Sequence, residues 1–147
     1  FVCLESSHFK SNEAYDKELI RIIQSHGIEL IVLAGFMRIL SPYFVKHFEN
    51  KIINVHPSLL PAFPGLNAQK QALDYGVKFT GCTVHFVNEV VDGGPIILQK
   101  IVDIKEDDTE FSLSNRILEM EHEILPLAIK LISQDKVNIY NNKVRIV

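Results

Sequence analysis

Tryptophan is absent from the 147 residues, and cysteine and methionine occur only twice each. Each shortage excludes something. Cys3 and Cys82 form no CxxC pair and no framework of spacings, which argues against a secreted, disulfide-built fold and fits a reducing compartment, so a cytoplasmic setting is expected. The longest apolar stretches are strand-length and too short for a membrane-spanning helix, so no membrane partner is expected. At a net charge of −3, no Lys/Arg run is long enough to track a phosphate backbone, so nucleic acid is not an expected partner. The six histidines contain no HExxH or His/Cys cluster, and His122-Glu123 reads as a solvated helix pair, so no metal is expected. No GxGxxG-type loop is present to cradle a phosphate. Neither Cys82 nor Ser58 has an evident activating neighbour, so a covalent intermediate is not indicated.

What remains is an ordinary globular composition, 47% hydrophobic and 22% charged, at a length that suits one domain over 1–147. The opening "FVCL" (1–4) has no initiator Met and no signal-peptide layout, and reads as a strand in mid-domain. An N-terminal portion preceding it is therefore expected.

The pattern then alternates. "NEAYDKELIRIIQSHG" (12–27) places Tyr15, Leu19, Ile22 and Ile23 on one helical face and ends at Gly27. "ELIVLAGF" (29–36) and "KIINVH" (51–56) are near-continuous apolar runs, as expected of parallel strands buried on both faces. Between them, Ser41 and Pro42 mark a helix start at N-cap and first turn. A short helix over 67–76 is stopped by Gly76. Strands over 80–89 and 94–104 follow, joined by "VVDGGP", then a long helix from Thr109 to Gln134 with Pro126 as an expected kink. A hairpin around Asn141-Asn142 closes the chain. The fold class is α/β: a Rossmann-like, mostly parallel sheet with helices on both faces, and antiparallel strands and a hairpin toward the C-terminus.

In open α/β sheets ligands sit beyond the carboxyl ends of the strands. One such end is "IINVHPSLLPAFPG" (52–65), where Asn54 and His56 follow an apolar run and Pro57, Pro61 and Pro64 stiffen the exit. Residues two apart in extended chain point the same way, so amide and imidazole address one volume. That pairing suits charge developing on a carbonyl oxygen. A strand-end His and a turn Asn bonded to backbone is the plainer alternative. Asp92, in "VVDGGP", reads either as a simple turn or as a carboxylate near the imidazole, where it would favour the charged ring. Taken together, an Asn, a His and an Asp at neighbouring strand ends form an acid–base set. His85, inside a strand, reads as a core or pocket-wall residue.

Four ordered blocks carry a family resemblance: "LAGFMRILS" (33–41), "NVHPSLLPAFPG" (54–65), "GCTVHFVNEVVDGGPII" (81–97) and "EHEILPL" (121–127). From about Phe9 onward the chain resembles the phosphoribosylglycinamide formyltransferases. The resemblance implies transfer of a formyl group from the co-substrate 10-formyltetrahydrofolate to the amine of glycinamide ribonucleotide, in purine biosynthesis. It implies Asn54, His56 and Asp92 as the catalytic set. Met37, Arg38, Ile39 and Leu40 would line the folate pocket, with Asn88, Glu89, Val90 and Val91 closing over the ring. Glu121 would hold the ribonucleotide's amine end, with Leu118, Glu119 and Met120 beside it. A monomer and a homodimer are both compatible. The family begins with a strand and a phosphate-binding loop not seen here, so 1–147 is expected to be a formyltransferase domain lacking its first strand-helix-strand section. Asn12 stands where some members carry a basic residue in contact with folate. Formyltetrahydrofolate hydrolases share Asn-x-His and the Asp loop, but typically carry a second His where this chain has Pro57. A non-catalytic α/β binding module would have no reason to keep all three polar residues.

Overall fold

The clearest local signals set the element ends. The structure, a computed structural model, describes residues 3–36 and 38–147. After a 3-10 turn at Ser6–His8 come α1 (Asn12–Ser25), β1 (Ile31–Leu33), α2 (Pro42–His47), β2 (Ile52–His56) and α3 (Ala68–Tyr75). They are followed by β3 (Phe79–Phe86), β4 (Ile96–Asp103), α4 (Glu110–Ser133), β5 (Val137–Tyr140) and β6 (Lys143–Ile146). Ser41 caps α2 by accepting from the Phe44 N–H, with Pro42 at the first turn. Thr109 and Ser112 form a reciprocal capping box at the head of α4. Gly76 ends α3 at φ 79°, and Asn141 and Asn142, at φ 48° and 59°, turn the terminal hairpin as expected.

The sheet order is β1-β2-β3-β4, with a separate β5-β6 hairpin. β1 and β2 are parallel, whereas β2-β3 and β3-β4 are antiparallel. The α/β class and the antiparallel finish are as expected. The described sheet is mixed rather than mostly parallel, because the expectation of parallel pairing stops at β2. The chain between β2 and β3 returns through the proline-rich turn and the short α3, and β3 runs back alongside β2.

Helices cover both faces. Ile52 points into a cluster with Ile20 of α1, Phe44 of α2 and Phe48, which caps α2. Its neighbour Ile53 points the other way, joining Val55, Cys82 and Val84 beneath Leu113, Ile117, Ile124 and Ala128 of α4. Each fully buried Leu or Ile contributes roughly 1.5–3 kcal/mol, so the α4 stripe anchors the β2-β3-β4 platform that carries the site. β1 is shorter than the apolar run suggested and only half-buried, with Val32 38% exposed. Of the strand expected over 1–4, Phe1 and Val2 lie outside the described residues, and Cys3 and Leu4 are irregular.

At the head of α4, Arg116 donates to the Asp108 carboxylate and to the Asp103 carbonyl. Asp108 also accepts from the Lys105 N–H and the Ser112 hydroxyl. The guanidinium holds the Asp108 carboxyl well below the usual carboxylate range. A depressed carboxylate stabilises the fold above its unfolded pKa and loses that contribution as pH falls toward its folded value. Arg116→Met is therefore expected to cost about 2 kcal/mol at pH 7 and distinctly less at pH 3. Denaturant titrations at the two pH values check this, and equal deficits would refute it.

Candidate active site

Asn54 and His56 lie at the carboxyl end of β2, opposite His85 and Thr83 of β3 in the antiparallel register. Directly opposed residues share a face, so Asn54, His56 and His85 line one wall of a cleft of about 560 Å³. Apolar residues Leu33, Ile39, Leu40, Val45, Val87, Val90 and Val91 line it too, with Arg38, Asn88, Glu89, Asp92 and Glu121 among its polar groups. This size and this mixture suit a drug-sized organic ligand with a flat apolar portion and a few polar anchors.

His56 is 5% exposed, and both ring nitrogens face oxygen acceptors. Nε2 donates to the Phe63 carbonyl at 2.8 Å, and Nδ1 lies 3.4 Å from Asp92 Oδ2. The first contact commits Nε2 to the protein, which leaves Nδ1 as the nitrogen able to handle a proton. Asp92 Oδ2 also accepts from the Gly65 N–H at 2.8 Å. One stretch, Phe63–Gly65, thus grips the imidazole by a carbonyl and the carboxylate by an amide. Phe63 and Asp92 both sit in the left-handed region, at φ 53° and 52°, where non-glycine residues carry local strain.

His85 is 1% exposed. Its Nδ1 donates to the Phe86 carbonyl at 2.8 Å, and its Nε2 lies 3.5 Å from Asn54 Nδ2 and 3.6 Å from Asp92 Oδ1. Burial pushes this imidazole below its ordinary pKa, against the opposing pull of the Phe86 carbonyl and Asp92. The ring is then neutral at neutral pH, with a bare Nε2 that accepts from the Asn54 amide and fixes which way that amide points. It is a neighbour of Asp92 rather than its ion-pair partner. Burial also raises the pKa of Glu121, with His122 opposing, and pushes the Cys82 thiol up to about 12, which leaves that sulfur unreactive.

The expected residues converge unevenly. Asn54, His56, Asp92, Arg38, Ile39, Leu40, Asn88, Glu89, Val90, Val91 and Glu121 all line the cleft. Met37 lies outside the described residues. Arg38 stacks over the Tyr15 ring, 4.3 Å from its centroid, and donates to Asn12 at 3.3 Å. Asn88 accepts from the Val90 N–H and donates to the Gly93 carbonyl, shaping the loop that carries Asp92. Leu118, Glu119 and Met120 do not line the cleft, and Met120 packs on the sheet core instead. Successive helix positions turn by about 100°, so a run of four cannot face one cleft, and Glu121 is the member that does. The reading of the sequence missed the Phe63 carbonyl and the Gly65 amide, which are backbone groups with no side-chain signature.

Comparison with known proteins agrees with this geometry. Residues 1–129 match the family described as formyl transferase. The chain is 45% identical to the phosphoribosylglycinamide formyltransferase of Escherichia coli, over 95% of this chain and 66% of that protein. It is 48% identical to the trifunctional purine biosynthetic protein adenosine-3 of Gallus gallus, over 92% of this chain and 14% of that protein. Among solved structures, glycinamide ribonucleotide transformylase 1 from Symbiobacterium toebii superposes at a TM-score of 0.95 and 48% identity, covering 98% of this chain and 68% of that one. A formyltetrahydrofolate deformylase from Pseudomonas syringae superposes at 0.88 with 32% identity, covering 93% of this chain and 46% of that one. The chain spans about two thirds of the Escherichia coli phosphoribosylglycinamide formyltransferase and 14% of the Gallus gallus trifunctional protein. With a family match over residues 1–129 and 45% identity to the Escherichia coli enzyme over most of its length, this chain belongs to the formyl transferase family.

Proposed function

We propose that the chain forms the catalytic cleft of a phosphoribosylglycinamide formyltransferase, passing the formyl group of 10-formyltetrahydrofolate to the primary amine of glycinamide ribonucleotide. The observation that carries this reading is the meeting of Asn54, His56 and Asp92 on the wall of one cleft that Glu121 also lines. The apolar stretch around Ile39, Leu40 and Val90 suits the flat folate ring, and the polar loop Asn88–Asp92 suits its amide edge.

Chemically, the amine nitrogen attacks the formyl carbon and the carbonyl oxygen becomes an oxyanion. The amide hydrogen of Asn54 not directed at His85 is the donor placed to stabilise that charge, while His56, its Nε2–H held by the Phe63 carbonyl, acts through Nδ1. The amine then sheds a proton while the bond from carbon to folate N10 breaks and N10 gains one. Asp92 and His56 Nδ1 lie adjacent and form the route along which that proton moves. Glu121, half-buried at the cleft, offers a carboxylate to the amine end of the acceptor. A soluble setting in the cytoplasm fits this chemistry, and among the described residues no helix is long and apolar enough to cross a membrane.

The test follows loss of the formyl group from 10-formyltetrahydrofolate with and without glycinamide ribonucleotide. Turnover that requires the ribonucleotide is expected. Turnover without it would instead support the hydrolase reading, which the likeness to the Pseudomonas deformylase keeps in view.

A further inference from the structure

Beneath the proline-rich turn lies a polar network whose members, Ser58, Thr83 and Gln99, are not among the residues lining the cleft. Thr83, fully buried on β3, donates its hydroxyl hydrogen to the Ser58 carbonyl at 2.7 Å. The same oxygen accepts from the Leu60 N–H at 3.1 Å and from Gln99 Nε2 at 3.0 Å. Gln99, reaching over from β4, also donates to the Leu60 carbonyl at 2.9 Å. Ser58, itself fully buried, donates to the Ala62 carbonyl at 2.5 Å and lies 3.3 Å from the Phe63 carbonyl. That last carbonyl is the one that holds His56 Nε2.

We infer that Gln99 and Thr83 are positioning residues for His56, acting through the turn Ser58–Phe63. The geometry is a relay of fixed lengths. β3 and β4 are paired with each other, so the Thr83 hydroxyl and Gln99 amide are set by the sheet rather than by the turn. They pin the turn at Ser58 and Leu60, and Ser58 pins its far end at Ala62. The Phe63 carbonyl is thereby fixed against the sheet, and with it the imidazole whose other nitrogen faces Asp92. Prolines limit the turn's freedom, but they supply no donor that could tie it to the sheet. Three hydrogen bonds meeting at one buried hydroxyl supply that tie, and such fully satisfied networks hold a single arrangement.

This inference rests on the catalytic role proposed for His56, and its test separates the two. Gln99 is largely exposed, so Gln99→Met removes both donations with little risk to folding. Turnover is expected to fall about 10- to 100-fold with both Michaelis constants nearly unchanged, because a misplaced catalytic group lowers the chemical step more than binding. Thr83→Val is expected to do the same, and Thr83→Ser to restore most of the activity. The second readout is the His56 Nε2–H proton resonance in histidine-labelled protein, assigned by its absence in His56→Ala. It is expected to shift or broaden in Gln99→Met and Thr83→Val and to return in Thr83→Ser. Wild-type turnover with an unmoved resonance in Gln99→Met would overturn the inference, as would lost turnover with that resonance unmoved. A wild-type protein unable to transfer formyl groups would remove the proposed function, yet the resonance would still decide whether this network positions His56.

Discussion

Asp92→Asn is expected to lower turnover by about 10²- to 10⁴-fold while leaving the folded structure in place. The substitution keeps the size of a side chain that is only 11% exposed. Its amide oxygen can take the place of Oδ2 and go on accepting from the Gly65 N–H. Its new NH2 then lies where Oδ1 was, 3.6 Å from His85 Nε2, where it competes with the Asn54 amide for the one lone pair of that nitrogen. The hydrogen bond from the Gly65 N–H, which ties the loop to the turn, is therefore preserved. What disappears is the negative charge beside His56 Nδ1, and with it the group able to share a proton with that nitrogen. The expected signature is a large fall in turnover with a change in Tm of a few degrees at most. Asp92→Ala provides the contrast. It leaves the Gly65 N–H without its partner, so about 1–3 kcal/mol of stability should be lost along with activity. Full turnover in Asp92→Asn would remove the carboxylate from the mechanism and leave His56 and Asn54 to act without it.

How far such a site can be read from sequence depends on which atoms do the work. Ser41-Pro42, Gly76 and Asn141-Asn142 mark element ends through the residue's own conformational preference, and all three stand where expected. Gly27 falls just beyond the α1 cap at His26, one residue off, as helix ends commonly do. Asn54 and His56 were legible because a strand's alternation fixes that both face one side, whatever lies around them. Glu121 was singled out by the resemblance and lines the cleft, whereas its expected neighbours Leu118, Glu119 and Met120 are turned away from it by the helix. Burial of β1 was overestimated because an apolar run reports what a strand could bury, not what packs on it. The Phe63 carbonyl and Gly65 amide were out of reach for a different reason. Every residue but proline has both of those backbone groups, and the left-handed conformations at Phe63 and Gly65 give the turn its shape here. Gln99 and Thr83 look like ordinary strand residues until the register sets them beneath that turn.

Gly94, the second glycine after Asp92, answers a need for space at the strand pair that carries the site. Its φ is not in the left-handed region, so the demand is for space rather than for backbone freedom. A Cβ there would stand 1.8 Å from the Phe86 carbonyl oxygen and 2.8 Å from its carbon. Nothing in that contact is a side chain that could swing away. The Phe86 N–H is bonded to the Pro95 carbonyl at 2.9 Å, and its own carbonyl holds His85 Nδ1 at 2.8 Å. Accommodating a methyl group therefore means parting β3 from the start of β4, or turning the Phe86 carbonyl and releasing His85. Either movement shifts the loop that ends in Asp92. Gly94→Ala is expected to cost about 3 kcal/mol or more, at the upper end of overpacking effects, and to lower turnover at least 100-fold. Gly35→Ala is the informative comparison, because Gly35 lines the same cleft at φ 62° with nothing within 4 Å of a Cβ. Its cost should be about 1 kcal/mol, the strain of a left-handed alanine alone. Thermal melts and turnover on the two variants check the ordering. If Gly94→Ala melts like Gly35→Ala and keeps its turnover, the close approach of the two strands is not what holds Asp92 against His56.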